Sequence, residues 1–139
     1  MPTLTRWFVK SALLYFVAAL VVGGLLAAPG AVSRWPALGA MTPVYFHLFM
    51  VGWVTQLIIG VSLWMFPRYS KEKPRGSEVL ALGTYVALNA GMLLRAVAEP
   101  MHALRPDGAW AWLLALSAGL QWLAGLLYTV NIWPRVKEK

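Results

Sequence analysis

The sequence predicts an all-α integral membrane protein built as a four-helix up-down bundle. Three observations lead there. Hydrophobic residues make up 60% of the 139 residues and charged ones only 12%, about half the roughly 25% of a soluble domain, and mean hydropathy is +0.64. Four apolar runs each approach the ~20 residues needed to cross a bilayer core. The basic residues that give a net charge of +7 gather at the ends of those runs instead of along one helical stripe. That pattern belongs to membrane topology and excludes a nucleic-acid platform.

The first run spans Trp7 to Ala28 and stops at Pro29-Gly30. Arg6 and Lys10 ahead of it, with Ala27-Ala28-Pro29 behind, imitate a secretory signal; we read it as a true span. The second runs from Pro43 to Phe66, with Thr42 as N-cap, Pro43 at the first helical position and Pro67 as terminator. The third covers Glu78 to Glu99 between a Ser77 cap and a Pro100 stop, and the fourth Gly108 to Trp133 between Asp107 and Pro134. The connections, 29–42, 67–77 and 100–107, are short, which makes sequential helices antiparallel neighbours. Residues 1–139 therefore form one membrane domain. With no Cys, disulfides, thiolate ligands and cysteine catalysis are excluded.

Orientation follows from the basic residues. Both termini and the second loop hold Arg6, Lys10, Arg68, Lys71, Lys73, Arg75, Arg135, Lys137 and Lys139; the other side holds Arg34 and Arg105, with Arg95 inside the third span. Positive charge marks the cytoplasmic side, so both termini are expected there, in the cell's inner (plasma) membrane. Trp7, Trp35, Trp64, Trp110, Trp112 and Trp133 fall near run ends, as an aromatic belt requires.

Polar side chains inside spans are costly and therefore candidates for function. His47 lies about one turn into the second span, and a neutral imidazole in a dry, aromatic setting suits the axial position of haem iron. Val44, Tyr45, Phe46, Phe49, Met50, Val51 and Val54 are candidate walls for a porphyrin; the alternative is an interhelical hydrogen bond from His47. Gly91, Arg95 and Glu99 recur at i, i+4 and i+8. Arg95 either pairs with Glu99 or clamps an anion such as a propionate or lipid phosphate. Arg34, His102 and Arg105 share that outer region and make it mildly electropositive. Gly52, Gln56 and Gly60 form a packing stripe, which at 100° per residue faces away from His47. Ser117, Gln121, Gly125 and Tyr128, together with Asn89, read as helix-helix glue. Met50, Met92 and Met101 read as packing residues before metal ligands. No carboxylate lies near a span centre, which weakens pump and cation-transporter readings.

One stretch has a familiar outline. His47-Leu-Phe-Met-Val-Gly-Trp-Val-Thr-Gln-Leu-Ile-Ile-Gly-Val-Ser-Leu-Trp-Met-Phe-Pro67-Arg68 resembles the second transmembrane helix of subunit I of the haem-copper (cytochrome c) oxidases. Leu88-Asn-Ala-Gly-Met-Leu-Leu-Arg-Ala-Val-Ala-Glu-Pro100 is similar to small four-helix proteins grouped loosely with that superfamily. The whole chain would correspond to about a third of subunit I, one of its three four-helix arcs.

The resemblance implies haem b with His47 as metal ligand, and Arg95 and Arg34 near the propionates. It also implies a homo-oligomer, a trimer by the geometry of closed rings. The chain lacks the several histidines of the family's copper site, so no complete oxidase is implied. Electron transfer, sensing of nitric oxide or oxygen, or haem handling remain as roles, with a respiratory-chain protein as partner. The alternatives are a cofactor-free accessory subunit of a respiratory complex and a small oligomeric transporter or channel.

Overall fold

The computed structural model describes residues 1–71 and 75–136; Lys73, Lys137 and Lys139 of the charge count lie outside them. Four helices are long and apolar enough to span a membrane, and among the described residues there is no strand. The first is α1 (Thr3–Ala27). Two short helices, α2 (Ala31–Arg34) and α3 (Pro36–Gly39), occupy the first connection. The second span is composite: α4 (Thr42–His47), a π-helical segment (Leu48–Thr55) and α5 (Gln56–Met65). Then follow α6 (Glu78–Leu104) and α7 (Gly108–Ile132), the latter closed by a 3-10 turn over Trp133–Arg135.

Two helix ends are capped as the sequence predicts. The Ser77 hydroxyl accepts from Leu80 N at 3.3 Å, and the Asp107 carboxylate accepts from Ala109 N and Trp110 N at 3.1 and 3.2 Å. Thr42 departs from its predicted role. It is already helical, and its hydroxyl donates to the Gly39 carbonyl at 2.9 Å, which closes the α3–α4 turn. Pro100 departs too, because α6 runs through it to Leu104. A proline forfeits one backbone bond, a loss that membrane helices tolerate, and the turn before it is held by the bidentate Arg95–Glu99 pair.

Packing joins α1 to the second span and α6 to α7, and the two hairpins close against each other. Aromatic rings of one helix lie on glycines of the other. A Cβ at Gly52 would meet Tyr15 Cγ at 2.8 Å, one at Gly60 would meet Phe8 Cβ at 2.7 Å, and one at Gly23 would meet Tyr45 at 2.8 Å. These close approaches supply the dispersion contact that replaces a hydrophobic driving force in lipid. Gly125, grouped with the glue residues by sequence, faces open space.

Both termini and the second loop share one end, which Arg135 ties together. Its guanidinium is 1% exposed. It donates to the carbonyls of Leu63, Phe66, Pro67 and Arg75 at 2.8–3.3 Å, so it caps the C-terminus of α5, where the helix dipole favours a cation. Asn131 completes the closure by accepting from Ser77 N at 2.8 Å and donating to Ser77 O at 3.1 Å. Gly76 turns there at φ +76°, a conformation suited to glycine, with Asn131 Oδ1 only 2.6 Å from where a Cβ would sit.

Gly60→Ala is expected to destabilise the protein by about 1–3 kcal/mol, because Phe8 cannot yield its backbone-proximal carbon. Gly125→Ala should be neutral or stabilising by up to about 1 kcal/mol. Thermal unfolding of both variants in one detergent makes the comparison.

Candidate polar site where the second span begins and the third ends

His47 is the last residue of α4 and is held by two contacts. Its Nδ1 lies 2.9 Å from the Pro43 carbonyl oxygen, one turn back, and 3.9 Å from Glu99 Oε2 on α6. A ring nitrogen facing a carbonyl acts as donor, so Nδ1 carries the hydrogen and Nε2 keeps the free lone pair. The His47 side chain is 29% exposed and that of Glu99 15%. The same carboxylate takes Arg95 Nε on Oε2 at 3.1 Å and Arg95 Nη2 on Oε1 at 3.3 Å. Imidazole, carboxylate and guanidinium thus form one chain across α4 and α6. Arg95 compensates the buried carboxylate, and the carboxylate enriches the imidazole.

Of the two sequence-level alternatives for Arg95, the pair with Glu99 is the one observed, and Nη1 remains unengaged by it. The contact between His47 and Glu99 was absent from the sequence reading. Its signal was the position of both residues near facing ends of consecutive antiparallel spans. Arg34 stands apart, exposed on α2 and outside any ion pair. Arg105 is exposed at the end of α6, and His102 Nδ1 is buried without a partner. Gly91, expected on the Arg95 face, instead serves α7, where Ser117 Oγ donates to its carbonyl at 2.8 Å.

The candidate porphyrin wall is smaller than the sequence suggests. Val44 is buried in the core, and Tyr45, Phe49, Trp53 and Phe16 of α1 form a run of ring contacts at 4.0–6.5 Å. Phe46 and Met50 remain open, at 58% and 53% exposed. Met92 is core, at 1%. A cavity of about 470 Å³ lies between α1 and α4 against Gly23, Tyr45 and Phe46, and His47 is not among its walls.

Deeper in the bundle a second polar group joins three helices. Tyr15 OH donates to Asn89 Oδ1 at 3.0 Å, Gln56 Nε2 lies 3.5 Å from both Asn89 Oδ1 and the Phe8 carbonyl, and Ser11 shares a hydrogen bond with Tyr85 at 2.7 Å. Sequence periodicity put Gln56 opposite His47, yet both reach α6. The π segment is the reason, since its i→i+5 turns hold more residues than the 3.6 of an α-helix and carry Gln56 round. Thr55 Oγ1, which donates to Met50 O five residues back at 2.8 Å, follows the same wide turn. Ser11, Tyr15 and Tyr85 were missed by the sequence reading. Two i, i+4 polar pairs inside spans, Ser11 with Tyr15 and Tyr85 with Asn89, were the available signal.

No group of three or more His, Cys, Asp or Glu side chains gathers to hold a metal among the described residues. Compared with known proteins, the chain matches no family model, no curated protein and no solved structure.

Glu99→Gln should cost about 1–3 kcal/mol, because Arg95 then lacks its counter-charge in a low-dielectric setting. Arg95→Gln with Glu99→Gln together should cost less than the sum of the two single changes. A double-mutant cycle on thermal stability in detergent reads both effects.

Proposed function

We propose that this chain is a haem-b-binding membrane protein in which His47 is an axial ligand through Nε2. The observation that carries the reading is the Nδ1 contact with the Pro43 carbonyl, backed by Glu99 at 3.9 Å. An imidazole held in this way has its tautomer and ring orientation fixed. When bound, haem iron supplies one-electron transfer or the capture of a diatomic gas.

The chain's own residues divide the remaining work. Glu99 stands beside the imidazole, and Arg95 pairs with that carboxylate through Nε and Nη2 while its Nη1 is left over for a propionate. Arg34, on the helix two elements before α4, is the second cation we assign to the propionates. Since Phe46 and Met50 are exposed and His47 is partly so, a porphyrin there needs a second apolar wall, which we assign to a neighbouring copy. Supporting an oligomer, only 11% of the apolar window of the first and fourth spans is buried within one chain. Three arcs closing as a ring give a trimer. In this reading the start of α1 and the end of α7 face the cytoplasmic side of the inner membrane, following the charge bias.

A second reading, a cofactor-free accessory subunit, is favoured by one observation: Glu99 already engages Arg95 through two hydrogen bonds. An absorption spectrum separates the two. After haem-replete expression, detergent-purified protein should show a Soret band that His47→Ala abolishes and His102→Ala retains. Folded protein with no Soret band would leave the accessory reading.

A further inference from the structure

A cavity of about 520 Å³ opens at the end of the bundle that bears both termini, between the start of α1, the end of α5 and the start of α6. Its deeper wall is apolar, made by Trp7, Leu63, Ala81 and Leu82, and its rim is polar, with Arg75, Ser77 and Glu78. This division suits a molecule with a charged head and an apolar tail, and the cavity stands at the depth where a span meets the headgroups.

The rim carries one cation and one anion, Arg75 and Glu78. Arg75 is exposed and its guanidinium makes no hydrogen bond or ion pair among the described residues, while its backbone carbonyl accepts from Arg135 Nη1 at 3.3 Å. The Arg135 guanidinium, almost wholly buried, is satisfied by carbonyl dipoles alone. Among the described residues only Glu99 forms ion pairs, so neither arginine is paired with a described carboxylate. Glu78 lies on the same rim, in the first turn of α6, while Arg135 is not a wall of the cavity and stands behind Arg75 as a second, buried cation. A guanidinium on the rim, backed by a buried cation and set over an apolar slot, suits an anion that brings its own hydrocarbon.

We infer that this cavity binds one anionic phospholipid, its phosphate at the Arg75 guanidinium and an acyl chain against Trp7, Leu63 and Leu82. Guanidinium matches phosphate oxygens in a bidentate fork, and a lipid held there bridges α1 and α6, both of which line the cavity. The inference is independent of haem and of His47.

Native mass spectrometry of the delipidated full chain in detergent tests it, titrating phosphatidylglycerol, phosphatidylcholine and inorganic phosphate separately. One phosphatidylglycerol per chain should bind about five- to tenfold more tightly than phosphatidylcholine, the scale set by one or two basic residues at a lipid surface. Inorganic phosphate should bind far more weakly. Arg75→Gln should remove the preference, and since Arg135 uses only the backbone carbonyl of Arg75, unchanged circular dichroism confirms its fold. Arg6→Gln, a basic change at the same end but off the cavity wall, should keep the preference. Leu82→Trp, which fills the apolar wall, should weaken both lipids. Equal affinity for the two lipids would overturn the assignment. So would a preference that survives Arg75→Gln or is lost equally in Arg6→Gln, tight binding of inorganic phosphate alone, or indifference to Leu82→Trp.

Discussion

Gln56 is fully buried where α1, α5 and α6 meet. Its Nε2 lies 3.5 Å from both Asn89 Oδ1 and the Phe8 carbonyl, Tyr15 OH donates to the same Asn89 oxygen, and Gln56 Oε1 has no hydrogen-bond partner among the described residues. On either side of this polar layer lie the two apolar clusters, one around Phe8, Ile59 and Leu88, the other around Ala19, Val44 and Met92. In hydrocarbon, apolar faces slide past one another at little cost, whereas an unpaired amide costs several kcal/mol. The layer therefore fixes the rotation of α6 against the first hairpin. That rotation is what sets Glu99 beside His47, three helical turns further along α6.

The same constraint explains which polar residues are structural. Ser117 bonds across to α7's neighbour α6, Ser62 shares a hydrogen bond with Tyr128 at 2.9 Å, and Asn131 and Arg135 close the terminal end. Each is satisfied inside the protein. The imidazole of His47 differs, because its Nδ1 is engaged and its Nε2 is not.

Much of the fold was legible in the sequence because hydropathy and helix punctuation act locally. The spans, the Ser77 and Asp107 caps and the breaks at Pro67 and Pro134 all depend on a few adjacent residues. What escaped depends on other helices. Pro100 failed as a stop because Arg95 and Glu99 hold the turn before it. The π segment could not be read from a run whose composition suits either helix, and with it went the true direction of Gln56. Arg135 looked like one more cytoplasmic charge, and its burial follows only from the carbonyls that α5 leaves over. At the candidate site, the Arg95–Glu99 pair was legible from i, i+4 spacing, and the reach of Glu99 to His47 across two helices was not.

The claim on which the functional reading turns is the protonation of one ring. In a His102→Gln background, where His47 is the only imidazole, nitrogen-15 NMR of histidine-labelled protein in nanodiscs at neutral pH distinguishes the two tautomers directly. The arrangement described here gives a proton on Nδ1 and a bare Nε2. A ring protonated at Nε2 would contradict it, since the nitrogen assigned to a ligand would then be occupied by hydrogen.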